Sequence, residues 1–333
     1  MMIILLFLLP AVYCVRTIDI TNYYYDPAIR ISLIQAFHED GIAIIKGHNI
    51  NDELFENCRK AADLLFSYGL EMKMQAVIQE QYGRGYIPFG KESGVVGIDE
   101  PKEGFSYGYD YSLELDGARD NELLQSNIWP PAFPSEMSEA LQTLYQQKIY
   151  LAKVFEGIIF ADAAEININI NESAIRDGGE KISIMRMFHY IQNTRDNCLG
   201  SSPHTDWGML TIITQNSVNG LQYYKDSIWH DVPANKNDII INVGNYLSYI
   251  SRGYFHSPIH RVECPKLSNR LSFVLFYYPG YDSELQLLQQ EVEIGTTGEV
   301  QYNSLFDKNS IEIDDRKTFG DYIKEKWKGV SRK

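Results

Sequence analysis

The 333-residue chain is short of three things, and each shortage excludes something. It lacks clustered cysteines: Cys14, Cys58, Cys198 and Cys264 lie scattered with no C-x-x-C pair, which argues against a disulfide scaffold and a thiolate zinc cluster. It lacks positive charge: 30 basic against 44 acidic residues give −14, a surface that repels phosphate backbones and anionic lipid. It lacks a long apolar run: the longest, Met1–Val15, falls short of the roughly 20 residues a membrane-spanning helix needs. No internal repeat or low-complexity linker divides it. What is present is 44% hydrophobic and 13% aromatic content, with Tyr the commonest aromatic, enough to build a substantial core.

The apolar start has two readings. Its length suits the h-region of a signal peptide, with Val12 and Cys14 as the −3 and −1 positions of a cleavage site, yet no Lys or Arg precedes it. It is otherwise a buried start ahead of a first strand, Arg16–Ile20. The expectation is a cytoplasmic protein, with the secretory pathway as the alternative if Met1–Cys14 is a signal peptide.

Helical signals fill the first half. Asp26 and Pro27 open a helix to His38, with Ile29, Leu33 and Phe37 on one face. Gly41–Ile45 reads as a buried strand. A helix starts at Asp52 and runs to about Tyr68, or past Gly69 to Gln79. Residues 82–134, rich in Gly, Pro and Tyr, read as loop. Ser135 caps a long helix to about Ala164, whose stripe of Met137, Leu141, Leu144, Leu151, Phe155 and Ile158 faces the core.

From Lys181 short β-prone runs take over: Ile182–Met187, Met209–Thr214, Leu221–Tyr224, Ile239–Val243, Arg261–Cys264, Leu271–Tyr278 and Glu291–Ile294. Many short, closely spaced strands indicate a sandwich, barrel or jelly roll. The expected divisions are an apolar leader (1–15), a helical α+β region packed on the core (16–175), a β domain (176–285) and a C-terminal extension (286–333).

Chemistry concentrates in the β half. His204 and Asp206 stand two apart, on one face of an extended segment. His260, 54 residues after Asp206, offers a second imidazole. Two imidazoles and a carboxylate on one face of an octahedron leave three positions open, the arrangement of non-haem Fe(II) oxygenases. Ten residues after His260 comes Arg270, with Ser272 on the same face of a strand. A guanidinium and a neighbouring hydroxyl suit the far carboxylate of a 2-oxo diacid whose other end chelates the metal. His-x-Asp alone is weak, with a surface His–Asp hydrogen bond as its simpler explanation. The ordered set with a distal His and Arg-x-Ser is strong.

These motifs resemble the iron/2-oxoglutarate-dependent dioxygenase superfamily, in the branch of isopenicillin N synthase and the plant-type small-molecule oxygenases. The likeness runs from about Arg16 to Tyr281 and takes in Thr17–Ile20, Gly41–Ile50, Arg84–Pro88, Lys102–Phe105, Asn219–Gln222 and Asn242–Asn245. It implies a mainly β protein with helical support: a double-stranded β-helix (jelly-roll) core with an N-terminal α/β region. It implies Fe(II) on His204, Asp206 and His260. It implies 2-oxoglutarate on Arg270 and Ser272, O2 as oxidant, and ascorbate in support of activity. The family's R-x-N-Y-Y-P segment matches Arg186–Ile191, where Tyr190 is kept as a co-substrate contact but Phe188, His189 and Ile191 depart from the pattern. The implied reaction is oxidation, by default hydroxylation, of a soluble small molecule with release of succinate and CO2. Desaturation, demethylation and ring closure share that chemistry.

Two alternatives stay open: an Fe(II) oxidase of the isopenicillin N synthase type that consumes no 2-oxoglutarate, and a non-catalytic β-helix binding protein. Expected partners are a small-molecule substrate, no nucleic acid and no stable membrane span, with oligomeric state open. Other residues have competing readings. Trp207 walls the pocket or fills the core; Arg84 and Tyr86 line the mouth, or Arg84 forms a structural salt bridge; Asn245 bonds near the metal or sits in a turn. His256 and His48 are expected to be non-ligands, and His38, His189 and His230 have no partner spacing.

Overall fold

The computed structural model describes residues 14–78, 83–93, 100–111, 122–165, 170, 174–285, 318–328 and 331–332. The first elements form where their end signals stand. Strand β1 (Thr17–Asp19) pairs in parallel with β2 (Ile42–Lys46). Between them runs α1 (Pro27–Glu39), opened by the Asp26 carboxylate, which accepts the Ala28 N–H at 2.9 Å. Helix α2 (Asp52–Ser67) is capped by Asn51 in the same way. It ends at Tyr68, because Tyr68 and Gly69 take extended backbone, and α3 (Leu70–Met74) starts afresh.

The stretch read as loop is not all loop. It contributes β3 (Gly85–Ile87), β4 (Glu92–Ser93) and β5 (Lys102–Gly108). All seven residues of β5 are buried, so its glycines and tyrosines fit a covered strand whose alternation is masked by burial on both faces. The long helix α4 (Ser135–Glu165) buries Leu141, Leu144, Leu151, Phe155 and Ile158 as its stripe requires. Lys148 falls in the same stripe. Its ammonium donates to the carbonyls of Ile212 and Phe273, and complete burial pushes its pKa well down.

After the short α5 (Gly179–Ile182) come β6 (Ile184–Tyr190), β7 (Leu199–His204), β8 (Leu210–Gln215), β9 (Leu221–Lys225), β10 (Ile228–Asp231) and β11 (Ile239–Val243). Helix α6 (Asn245–Ile250), β12 (His260–Glu263), β13 (Arg270–Tyr277), α7 (Phe319–Lys328) and β14 (Ser331–Arg332) complete the order. Strands β7 and β10 have little apolar alternation, which is why the periodicity of the sequence passes over them. The expected strand Glu291–Ile294 and the leader before Cys14 lie outside the described residues.

Two main sheets face each other. The larger has the order β1-β2-β11-β8-β13-β6-β5-β3 and the smaller β10-β9-β12-β7; β14 pairs β4 separately. The larger sheet crosses the expected boundary at 175/176, since β1, β2, β3 and β5 join strands of the β half. Its residues alternate by strand period. Ala43, Ile45, Leu210, Ile212, Ile241, Phe273 and Leu275 belong to the core packed under the helices, while Ile42, Ile44, Ile213, Ile240 and Val274 meet Leu221 and Val262 of the smaller sheet. The structure is the jelly roll expected, with helices on its outer face.

Two of the scattered cysteines pair, which their spacing did not announce. Cys198 and Cys264 form a disulfide, although 66 residues separate them. They are brought together because β7 and β12 pair antiparallel and the Cys264 N–H bonds the Cys198 carbonyl at 3.0 Å. One bridge is not a scaffold, but it cross-links the two strands that carry His204 and His260.

Candidate active site

The strand pairing brings the three expected metal ligands together. In the register of β12 on β7, His260 stands opposite His204, and their rings lie 4.3 Å apart between centroids. Asp206 follows two residues after His204, where the chain leaves β7. One ligand atom from each of the three residues lies within 4.8 Å of the others. Nε2 of His204 is 3.7 Å from Oδ1 of Asp206, and Nε2 of His260 is 3.6 Å from Oδ2.

The surroundings fix which atoms face the centre. Nδ1 of His204 donates to the Ser202 carbonyl at 2.8 Å, and Nδ1 of His260 to that of Pro258 at 3.1 Å. Both Nε2 lone pairs are thereby turned toward the carboxylate, as a metal-binding imidazole requires. The His204 ring lies deep but opens on the cavity. Burial, and then the adjacent His260, push its pKa down to about 4, so it is neutral at pH 7. Burial by itself would raise Asp206. The two imidazoles and hydrogen bonds from Asn242 and Thr211 outweigh it and hold the carboxylate ionised below its ordinary value. Asn242 on β11 donates to Oδ2 at 2.9 Å. Asn245 supports the same turn: its N–H bonds the Asp206 carbonyl at 2.7 Å and its side-chain amide bonds Thr205 at 3.0 Å.

The triad opens into a cavity of about 250 Å³ between the two sheets. Arg270, Ser272 and Tyr190 line it from the inner face of the larger sheet. Register explains their grouping: Arg270 stands opposite Tyr190 and Ser272 opposite Phe188. The Arg270 guanidinium lies 4.9 Å over the Tyr190 ring centroid and donates to Gln215 at 2.6 Å. Gly200 of β7 packs on that ring, where a Cβ would come within 2.6 Å of Tyr190 Cδ1. Arg270 is 1% exposed, yet its Nε and Nη1, and Oγ of Ser272, have no hydrogen-bond partner among the described residues. A buried guanidinium with open donors and no described carboxylate beside it is matched by an anionic ligand. The donors fit one carboxylate of 2-oxoglutarate, and the triad's donor set fits Fe(II).

Other expectations sort cleanly. Trp207 lines the cavity and meets Trp327 of α7 edge to face at 5.2 Å. Arg84 and Tyr86 do not line the mouth. Arg84 is fully buried and bonds the carbonyls of Tyr107 and Ser183, with no ion pair among the described residues, and the Tyr86 hydroxyl bonds Glu103 at 2.6 Å. His256 is outside the triad. His48 bonds the Asn237 carbonyl, His189 bonds Glu103, His230 bonds the Lys225 carbonyl and His38 that of Tyr254.

Sequence reasoning placed Asn242, Lys102 and Arg186 in matching segments without giving them a role, and passed over Trp327 and the ion-pair partners Glu100 and Glu92, although each touches or lines the cavity. Arg186 was within reach of a period-two count, being four residues from Tyr190 on one strand. Trp327 had no such signal, since it lies far beyond the last motif.

A jelly roll whose facing sheets hold two histidines and an aspartate above a buried, unneutralised arginine defines a non-haem iron oxygenase. Comparison with known proteins agrees. Residues 181–279 match the 2OG-Fe(II) oxygenase superfamily, and residues 15–132 match the family described as non-haem dioxygenase in morphine synthesis N-terminal. Kihadalactone A synthase LFS of Citrus sinensis is 27% identical over 292 residues, covering 83% of this chain and 84% of the relative. The 2-oxoglutarate-dependent dioxygenase citB of Monascus ruber is 28% identical over 302 residues, covering 85% and 88%. Among solved structures, a putative 2OG-Fe(II) oxygenase family protein from Caulobacter crescentus superimposes with TM-score 0.74 at 21% identity, covering 94% of this chain and 98% of that one. A full-length Neurospora crassa protein in complex with alpha-KG gives 0.69 at 21% identity, covering 86% and 92%. The chain belongs to the iron/2-oxoglutarate-dependent dioxygenase superfamily, and is an Fe(II)- and 2-oxoglutarate-dependent oxygenase.

Proposed function

We propose that His204, Asp206 and His260 hold the Fe(II), that Arg270 and Ser272 bind the distal carboxylate of 2-oxoglutarate, and that Tyr190 backs Arg270. The observation that carries this reading is the buried Arg270 guanidinium, with two open nitrogens, in the same cavity as three ligand atoms within 4.8 Å of one another. When bound, the metal and co-substrate supply oxidative decarboxylation: O2 oxidises 2-oxoglutarate to succinate and CO2 and oxidises the substrate in the same turnover. The protein's share is positional. The Ser202 and Pro258 carbonyls hold the imidazoles in the tautomer that presents Nε2. Asn242 fixes Asp206. Phe188, Ile213, Val262 and Val274 exclude water around the reacting atoms.

Hydroxylation of a soluble small molecule is the outcome this reading favours, and the acidic surface supports the absence of a nucleic-acid substrate. The purified chain with Fe(II), ascorbate and 2-oxoglutarate is expected to release succinate slowly alone and faster when a metabolite panel supplies the substrate. His204→Ala is expected to abolish both rates. Full turnover in that variant would refute the metal assignment.

We further propose that the protein works in an oxidising compartment. The Cys198–Cys264 disulfide supports this, because such bonds are rare in the cytosol, and the apolar Met1–Cys14 segment supports secretion. Residues 1–25 fused to a reporter are expected to carry it into the secretory pathway. A reporter retained in the cytosol would overturn the proposal.

A further inference from the structure

A second arginine faces the same cavity. Arg186 on β6 stands opposite Val274, as Arg270 stands opposite Tyr190, so the two guanidinium-bearing positions share a face. They are four residues apart along the sheet, about 13 Å at roughly 3.3 Å per residue. Their surroundings differ. Arg186 is 4% exposed and pairs through Nη1 with Oε1 of Glu92 on β4. Its guanidinium lies 4.5 Å over the Trp327 ring centroid, and Trp327 leans edge-on against Trp207, the residue after Asp206. A continuous wall therefore leads from the metal triad to this ion pair. Two atoms of the pair remain unsatisfied: the Nε donor of Arg186 and the Oε2 acceptor of Glu92 have no hydrogen-bond partner among the described residues, and both side chains line the cavity.

An open donor and an open acceptor, on the two members of a pair of zero net charge, form a recognition pattern. A carboxylate there would satisfy Nε but face the uncompensated oxygen of Glu92. A group with only an acceptor would leave that oxygen buried and unpaired. A group carrying both an acceptor and a donor satisfies both. We infer that Arg186 and Glu92, seated on Trp327, form the substrate-recognition subsite, and that it selects an uncharged substrate bearing an amide, lactam or hydroxy-ketone over a carboxylic acid. The inference names the substrate class of the oxygenase proposed above and so rests on that reading.

The probes are 2-naphthamide, N,N-dimethyl-2-naphthamide and 2-naphthoate, which share an apolar body and differ at the head. Each is titrated calorimetrically, without oxygen, into the full Fe(II)-loaded chain holding saturating 2-oxoglutarate, so that the Arg270 end is filled. The primary amide is expected to bind about tenfold or more tighter than the other two. In Glu92→Gln the counter-charge is gone, and the order is expected to reverse in favour of 2-naphthoate. Carboxylate binding best to the unaltered protein, equal binding within twofold, or no binding by any probe would overturn the subsite. Should Glu92→Gln not fold, the ranking in the unaltered protein decides. Titration of 2-oxoglutarate itself reports separately: its failure to bind sinks the oxygenase reading, while a missing amide preference with 2-oxoglutarate bound sinks only the subsite.

Discussion

Arg270 and Arg186 occupy one face of one sheet and line one cavity, yet they are treated in opposite ways. Arg186 has a carboxylate, Glu92, at its side; Arg270 has a neutral amide, Gln215, and the face of Tyr190. Burying a guanidinium without a counter-ion is costly, so a site that does so is built to receive the anion from outside. Neutralising it in advance removes the attraction for anions and leaves hydrogen-bonding geometry. The cavity thus has an anion-seeking end and a charge-balanced end, with the metal triad serving both. Co-substrate and substrate can then be told apart by charge before any difference of shape is felt.

The largest disturbance strikes what the two ends share. Asp206→Ala removes the only carboxylate of the triad and leaves two imidazoles that bind metal poorly. Succinate release is expected to fall below detection whichever substrate is offered, and an iron assay of the purified variant to show loss of bound Fe(II). One step back, Asn242→Ala leaves all three ligands but frees Asp206 to turn. A loss of roughly 10–100-fold in metal affinity is expected, of the size seen when outer partners of metal ligands are removed, and competition with a chelator measures it. Ser272→Ala sharpens the contrast at the anion-seeking end alone. One hydrogen bond to the co-substrate carboxylate is lost, worth about 1.5 kcal/mol or roughly tenfold in the 2-oxoglutarate requirement, with metal content unchanged. A requirement that stays within twofold would remove Ser272 from the site.

How much of this was legible in the sequence depends on whether a signal was local or depended on pairing. His204 and Asp206 share a face because extended chain repeats every two residues, and Arg270 and Ser272 do so for the same reason. Helix ends at Asp26 and Asn51 were local too, although only the first was read. The distal His260 was named from chemistry, because two imidazoles and a carboxylate make one kind of site, and the structure brings it beside the other two. What escaped was set by partners distant in the chain. Strand β5 looks like loop until β6 and β3 cover its edges. The Cys198–Cys264 bond exists because β7 and β12 pair, which no spacing announces. Trp327 enters the cavity because α7 packs there, and an amphipathic ten-residue helix carries no address. Glu92 reaches Arg186 from a two-residue strand that no periodicity detects.

The contrast between the arginines is tested most directly by calorimetric titration of 2-oxoglutarate into anaerobic Fe(II)-loaded protein carrying either Arg270→Gln or Arg186→Gln. Removing the guanidinium that meets the carboxylate is expected to cost at least about 2 kcal/mol, some 30-fold in affinity. Removing the one already neutralised by Glu92 is expected to change it by less than about twofold. Equal losses in the two variants, or a loss confined to Arg186→Gln, would contradict the assignment of the two ends.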